Sequence, residues 1–236
     1  MDLDFLWSSF LRLIVGIPLT LQLAFSSIGL GLVLAVLLAT MLRSRVPPLR
    51  WLADGFVFVF RGSPLLVQIF LIYYGLGQFR PALDEMGIWW FFRSPYYCAL
   101  LALTLNTAAY GAEIVRGGLQ SVPSGQVEAA RAFGMSGFTL YRRIIAPIAL
   151  RQALPAYGNE IILMIKATSL VSTITLMELT GLAHKIISET FRAFEVFFVA
   201  GAIYLAINFV MTRLIALAER WIAPDLDQAA RPIEVH

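Results

Sequence analysis

Apolar residues in this chain run in long stretches, and polar residues gather between them. Five stretches are long enough to cross about 30 Å of hydrocarbon as helix. They lie at about 19–42, 51–76, 96–118, 155–177 and 194–217. A helix of a soluble bundle would show a polar face at every turn, and these stretches do not. The pattern predicts an all-α integral membrane bundle of about five transmembrane helices. Gly29 and Gly31 in the first stretch allow close helix approach, and Arg43, Arg45, Pro47 and Pro48 end it. A polar stretch of roughly 35 residues, about 120–150, separates the third span from the fourth.

Composition sharpens this reading. Hydrophobic residues make up 59% of the 236 residues and charged ones 14%, against about 45–50% and roughly 25% in soluble domains. The net charge of +3 comes from arginines beside the apolar runs, so it bears on membrane orientation rather than on nucleic acid. With the N-terminus outside, eleven loop arginines fall inside (43, 45, 50, 116, 131, 142, 143, 151, 213, 220, 231), and five basic residues fall outside (Arg12, Arg80, Arg93, Lys185, Arg192). This bias predicts N-out, C-in, with the long polar stretch in the cytoplasm. The start, Met-Asp-Leu-Asp, lacks the basic region of a cleaved signal, so the first run reads as a retained span. Cys98 is alone in an apolar run, which reads as packing, and His184 and His236 stand too far apart in sequence to indicate a metal site.

The polar stretch has the signals of a helical hairpin. Ser121 or Ser124 can cap a first helix, with Pro123 in its first turn. Glu128 lies in the early turns, where the helix dipole favours a carboxylate. Ala129, Ala130 and Ala132 are strong helix formers, and Gly134 can supply the left-handed residue that stops the helix. Ser136 can cap a second short helix bearing Tyr141, Arg142 and Arg143, and Pro147 limits its continuation. Such a rigid bend with small residues suits a mechanical joint to a soluble motor; an amphipathic hairpin resting on lipid headgroups is the alternative.

These residues carry a resemblance. Glu128-Ala129-Ala130, Gly134, Ile144 and Pro147 resemble the "EAA" loop of binding-protein-dependent ABC importer permeases, with Ala146 where that pattern has leucine. Arg61 to Gln68 (RGSPLLVQ), Ala102 to Tyr110 (ALTLNTAAY) with Glu113-Ile114 and Gly117-Gly118, and Leu154-Pro155-Ala156-Tyr157 with Asn159-Glu160 resemble polar amino-acid permeases of that group. The likeness covers residues 15–220 and is strongest to the M-type permeases of histidine, lysine/arginine/ornithine and opine importers. It implies a type I ABC importer permease in the bacterial inner membrane. Residues 1–18 would form an N-terminal periplasmic segment, 19–218 the transmembrane unit, and 219–236 a cytoplasmic tail. Implied partners are a second homologous permease or a second copy, a cytoplasmic ATPase dimer, and a periplasmic solute-binding protein. ATP and magnesium would bind the ATPase; neither Lys166 nor Lys185 follows a glycine, so this chain has no phosphate-binding loop of its own. Glu128, Ala129, Ala130, Gly134, Arg142, Arg143 and Pro147 would couple to the ATPase.

Ionisable residues at membrane depth are costly and mark candidate function. Arg61, beside Gly62, Ser63 and Pro64, either lines a cavity with backbone freed by the helix break or pairs with Glu113 to fix packing; Glu113 can instead pair with Arg116. Glu160 shares a helix face with Leu163, Met164 and Ala167, and is expected to meet a cationic solute in a groove or else to stabilise the start of its span. Relatives often read Lys-Asp-Thr-Ser-Leu where this chain reads Lys166-Ala167-Thr168-Ser169-Leu170, so the expectation is that this subunit holds only part of a solute site, with the rest on the partner permease, or that it is the half that binds no solute. The expected substrate pathway is Glu160, Met164, Ala167, Thr168, Arg61, Ser63 and Gln68. The solute would be a polar, cationic amino acid or an opine, with glutamine or cystine as the alternative. A membrane enzyme lacks support, because no catalytic set sits at one membrane face. A secondary transporter built from two repeats lacks it too, because five spans do not halve and no repeat is visible.

Overall fold

The computed structural model describes residues 2–222; Met1 and residues 223–236, including the expected tail positions Arg231 and His236, lie outside the described residues. The described part is helical throughout, with no strand. In chain order the helices are α1 Leu3–Leu13, α2 Ile17–Leu42, α3 Pro47–Gly62, α4 Leu65–Phe70, α5 Arg80–Glu85, α6 Trp89–Phe92, α7 Pro95–Gln120, α8 Ser124–Ala132, α9 Gly137–Leu140, α10 Ala146–Ala167, α11 Leu179–Thr190 and α12 Ala193–Ile222. Three helices are long and apolar enough to span a membrane: Leu3–Leu42, α7 and α12. Two bent pairs raise the number to as many as five if each is one span.

The first expected span is longer than its apolar core. A short 3-10 turn, Ile14–Gly16, joins α1 to α2 in one rod of 40 residues. At about 1.5 Å per residue it reaches about 60 Å, twice the hydrocarbon thickness, so one end projects or tilts. The expected N-terminal segment is therefore helix. Asp2 caps α1 by accepting from the Phe5 amide, and that bond, with Arg192 nearby, holds its carboxyl below the usual range. Arg12 pairs with Glu189 at 2.5 Å, and Arg192 reaches Asp2 at 3.3 Å and covers the Phe5 ring at 3.8 Å. These contacts hold α1 beside α11 and the start of α12. Leu13, Leu179, Ile186, Val196 and Ile203 form the apolar core between the three helices.

The second expected span breaks. Pro64 has no amide hydrogen and disfavours helix at Ser63, which is extended at ψ 147°. α4 then leaves α3 at 106°. Two of the carbonyls opened by this break are taken up by side chains. Gln68 Nε2 donates to the Phe60 carbonyl at 2.8 Å and to the Ser63 carbonyl at 3.1 Å and its hydroxyl at 2.9 Å. Asn106 Nδ2 on α7 donates to Gln68 Oε1 and to the same Phe60 carbonyl. The Phe60 and Ser63 carbonyls opened by the bend thus find partners within the chain, as a break at membrane depth favours.

α2 and α7 form the central pair. A Cβ on Gly31 would fall 2.3 Å from the Thr107 methyl, so only glycine fits at that crossing. Gly29 faces open space and takes no part in this crossing. Without a strong hydrophobic drive inside lipid, such close van der Waals contact holds membrane helices together. Leu23, Ile69, Leu103, Met164, Val171 and Ile174 fill the core where α2, α4, α7 and α10 meet.

The third expected span matches α7 to within a residue or two. The fourth differs more. α10 begins at Ala146, inside the expected loop, and continues through a 3-10 run, Thr168–Ile174, before α11 departs at 47°. Pro147 does not stop a helix as expected; it occupies the first turn of α10. A wide π segment at Tyr141–Ile145 precedes it, with the Ala146 amide bonded five residues back to Tyr141. A proline just after that bulge breaks the helical ladder little. α12 outruns the fifth expected span, reaching Ile222 past the expected start of the tail at 219.

Candidate functional site

Two features carry chemistry that a bundle does not need for its own packing. The first is the hairpin of α8 and α9. α8 starts after Pro123, which is the N-cap residue itself, and neither Ser121, Ser124 nor Ser136 makes the expected side-chain cap. Its end follows the expectation closely. Gly134 is left-handed at φ +80°. The Gly134 amide donates to the Arg131 carbonyl and the Met135 amide to Ala130, which is a complete Schellman stop. Ala130 and Leu140 are buried where α8, α9 and the Tyr141–Ile145 segment meet. Glu128, Ala129, Gly134, Arg142, Arg143 and Pro147 are exposed on it. A Cβ at Gly134 would meet nothing, so the glycine answers to backbone conformation and to whatever approaches from outside.

The hairpin also shows Phe133 at 86% and Phe138 at 74% exposure. Apolar rings this open beside arginines and a carboxylate have the make-up of a protein contact: aromatic anchors and a charged rim. Sequence reasoning passed over both rings, although two phenylalanines flanking a glycine stop in a polar stretch were the available signal.

The second feature is α10. The structure puts the expected pathway residues of this segment on its packed side and leaves other residues on its exposed face. Glu160, Met164 and Thr168 lie on the packed face, and Glu160 Oε1 accepts from Thr107 on α7 at 2.9 Å. Glu160 is 6% exposed, so within this chain its carboxylate is turned to α7 rather than to an open groove. Ala167 is half-buried. The exposed face carries Gln152, Asn159, Leu163 and Lys166, spaced at three, four and seven residues, and continues at Thr173. Neither Asn159 nor Lys166 was expected there, because periodicity groups residues on a face without saying which face is buried.

Arg61 and Gln68, also expected in the pathway, stand apart from α10. Arg61 is exposed and lies over the Tyr110 ring at 5.3 Å. Glu113 pairs with Arg116, not Arg61. Gln68 and Ser63 are occupied at the α3–α4 bend, as described above.

A further polar centre was not foreseen. Glu178, fully buried, caps α11: its Oε1 accepts from the Gly181 amide at 2.9 Å. Its Oε2 accepts from Tyr204 at 2.9 Å and Thr20 at 3.4 Å. Thr20 in turn accepts from the Leu179 amide and shares its one hydroxyl hydrogen between Glu178 Oε2 and the Gly16 carbonyl. One carboxylate thereby ties α2, α11 and α12 together. A Ser/Thr/Asp is the usual helix cap, and a glutamate in Met-Glu-Leu gave no distinct sequence signal.

Comparison with known proteins agrees with this architecture. Residues 27–224 match the family described as "Binding-protein-dependent transport system inner membrane component". The chain is 57% identical to the nopaline transport system permease protein NocM of Agrobacterium fabrum, over 96% of this chain and 94% of that one. It is 44% identical to the histidine/lysine/arginine/ornithine transport system permease protein HisM of Salmonella typhimurium, over 91% of each. Among solved structures, an amino acid ABC transporter crystallised with histidines superposes with a TM-score of 0.82 at 36% identity, over 93% of this chain and 98% of that one.

Proposed function

The chain belongs to the family of binding-protein-dependent transport system inner membrane components, and from that premise we propose that the solute it passes is a polar amino acid or opine with a cationic side chain. It is a transport permease of the inner membrane rather than an enzyme, and works in an ABC importer with an ATPase and a binding protein. In the proposed assembly a second permease, homologous or identical, completes the pathway. Each permease presents its α8–α9 hairpin to one subunit of an ATPase dimer, which binds ATP and magnesium. A periplasmic binding protein delivers the solute to the opposite end.

The observation that carries the substrate class is the exposed polar face of α10. Asn159 and Lys166 at membrane depth are costly against lipid and are stabilised by a wet pathway or a partner. Amino acids and opines share a carboxylate that Lys166 suits. Glu160, one helix face behind, contributes a negative field for a cationic side chain. The printed names of the relatives support the same class, since nopaline, histidine, lysine, arginine and ornithine systems all appear among them.

Uptake measurements on the assembled importer test this. Lys166→Gln is expected to lower uptake of every carboxylate-bearing solute by about ten-fold or more, as loss of a partly desolvated charge partner does. Glu160→Gln is expected to lower arginine uptake more than uptake of a neutral relative such as glutamine, with binding-protein affinity unchanged. Equal loss for charged and neutral solutes in Glu160→Gln, together with wild-type uptake in Lys166→Gln, removes α10 from the solute pathway.

A further inference from the structure

At the end of the bundle that carries the α8–α9 hairpin, but built from other elements, lies a polar cavity of about 730 Å³. Three arginines reach it from three helices. Arg43 stands at the C-cap of α2, Arg50 in the opening turns of α3, and Arg116 in the closing turns of α7. Ser44 adds a hydroxyl, and Asp54 and Glu113 add two carboxylates. Each carboxylate already has an arginine: Asp54 pairs with Arg50 at 3.5 Å and Glu113 with Arg116. The third guanidinium, on Arg43, leaves the cavity with one positive charge in surplus.

The surroundings of the cavity are apolar. Arg50 and Asp54 face it from one side of α3, while the neighbouring Trp51 and Leu52 are 69% and 67% exposed. Leu37, less than two turns before Arg43 on α2, is exposed as well. An exposed tryptophan beside arginines at the end of a span marks the headgroup level of a bilayer. A basic pocket between span ends, at headgroup level and beside a bare apolar surface, meets both parts of an anionic lipid: its phosphodiester and its chains. The single surplus charge matches a singly charged phosphodiester.

We propose that the cavity bounded by Arg43, Arg50 and Arg116 is a binding site for the headgroup of an anionic phospholipid, with its acyl chains lying along the exposed face of α3. The ATPase is the other macromolecule at this end. It is disfavoured as occupant because the cavity is made by span ends and the hairpin contributes no residue to it.

The test uses the intact importer, delipidated in detergent and titrated with phosphatidylglycerol or phosphatidylcholine, with bound lipid counted by native mass spectrometry. Phosphatidylglycerol is expected to be retained preferentially. Arg43→Gln is expected to weaken that retention about five-fold, the effect of about 1 kcal/mol per basic residue at a membrane surface. Arg43→Lys should restore most of it. Arg45→Gln, an exposed arginine two residues away that does not line the cavity, should leave it unchanged. Arg50→Gln repeats the test on a second helix, with thermal unfolding confirming that both variants fold. Equal retention of the two lipids, or equal effects of Arg43→Gln and Arg45→Gln, overturns the proposal. Displacement of the lipid by millimolar inorganic phosphate would assign the cavity to free phosphate instead. Loss of ATPase co-purification in Arg43→Gln with lipid retention intact would assign it to the ATPase, and the lipid site falls in both cases.

Discussion

Single polar residues do two different jobs in this bundle, and their hydrogen bonds tell them apart. Glu178 and Gln68 are saturated by donors and acceptors of their own chain. Lys166 and Asn159 are turned outward. The first kind holds bends together, because a buried group left unsatisfied costs about 1–3 kcal/mol. Glu178→Ala would strand the Gly181 amide and take one of two partners from each of the Tyr204 and Thr20 hydroxyls, which keep Thr180 and the Gly16 carbonyl. We expect it to destabilise the permease by about 1–3 kcal/mol, the range for leaving a buried donor without its partner. Thermal unfolding of the purified protein reads this out. Tyr204→Phe should cost less, and the double variant should cost less than the two single effects together, since both remove the same bond. An unfolding midpoint for Glu178→Ala equal to wild type would mean that the network carries no stability.

Among the elements, the α8–α9 hairpin is the one whose shape follows from few residues. Gly134 at φ +80° closes α8 and reverses the chain. A side chain there costs about 1 kcal/mol in backbone strain, too little to unfold a bundle whose packing lies elsewhere. Gly134→Asp also places a negative charge between the open rings Phe133 and Phe138. Membrane insertion should be normal in this variant, with transport lost and ATPase retention on purification sharply reduced. Gly134→Ala, with the strain but no charge, should keep part of both. Transport at the wild-type rate in Gly134→Asp would detach the hairpin from energy coupling. The broken element α3–α4 shows the opposite case. Its angle depends on Pro64, but its tolerance inside a membrane depends on Gln68 and Asn106, 38 residues apart in sequence.

For the whole molecule, the basic residues set which way it sits in the membrane. Eleven basic residues at one set of loops against five at the other predict N-out and C-in. The structure adds the membrane level at the far end, while the basic residues alone set the orientation. Trp89, Trp90, Phe91, Phe92, Tyr96 and Tyr97 cluster at the end opposite the hairpin, the make-up of an interfacial belt. Reporter fusions should place residues 120–150 in the cytoplasm and residues 80–95 in the periplasm. A periplasmic signal from the 120–150 segment would refute both the orientation and ATPase docking at the hairpin.

Length and apolarity of the runs were enough to determine a helical membrane protein. Backbone groups in hydrocarbon must bond within their own segment, and a long apolar helix is how one run of chain achieves this. Local chemistry was likewise enough for the left-handed stop at Gly134, because only glycine takes that conformation without strain. The RGSP sequence marked a loosened helix, but the 106° turn and its closure by Asn106 needed a partner from a distant helix. Tertiary structure alone decided which face of α10 is packed. Glu160 and Lys166 are both allowed by periodicity to face a groove, and Thr107 on α7 takes the carboxylate inward. It also brought Thr20, Glu178 and Tyr204 into one network. Those residues lie up to 184 positions apart, and a hydrogen bond between them exists only once the helices have packed.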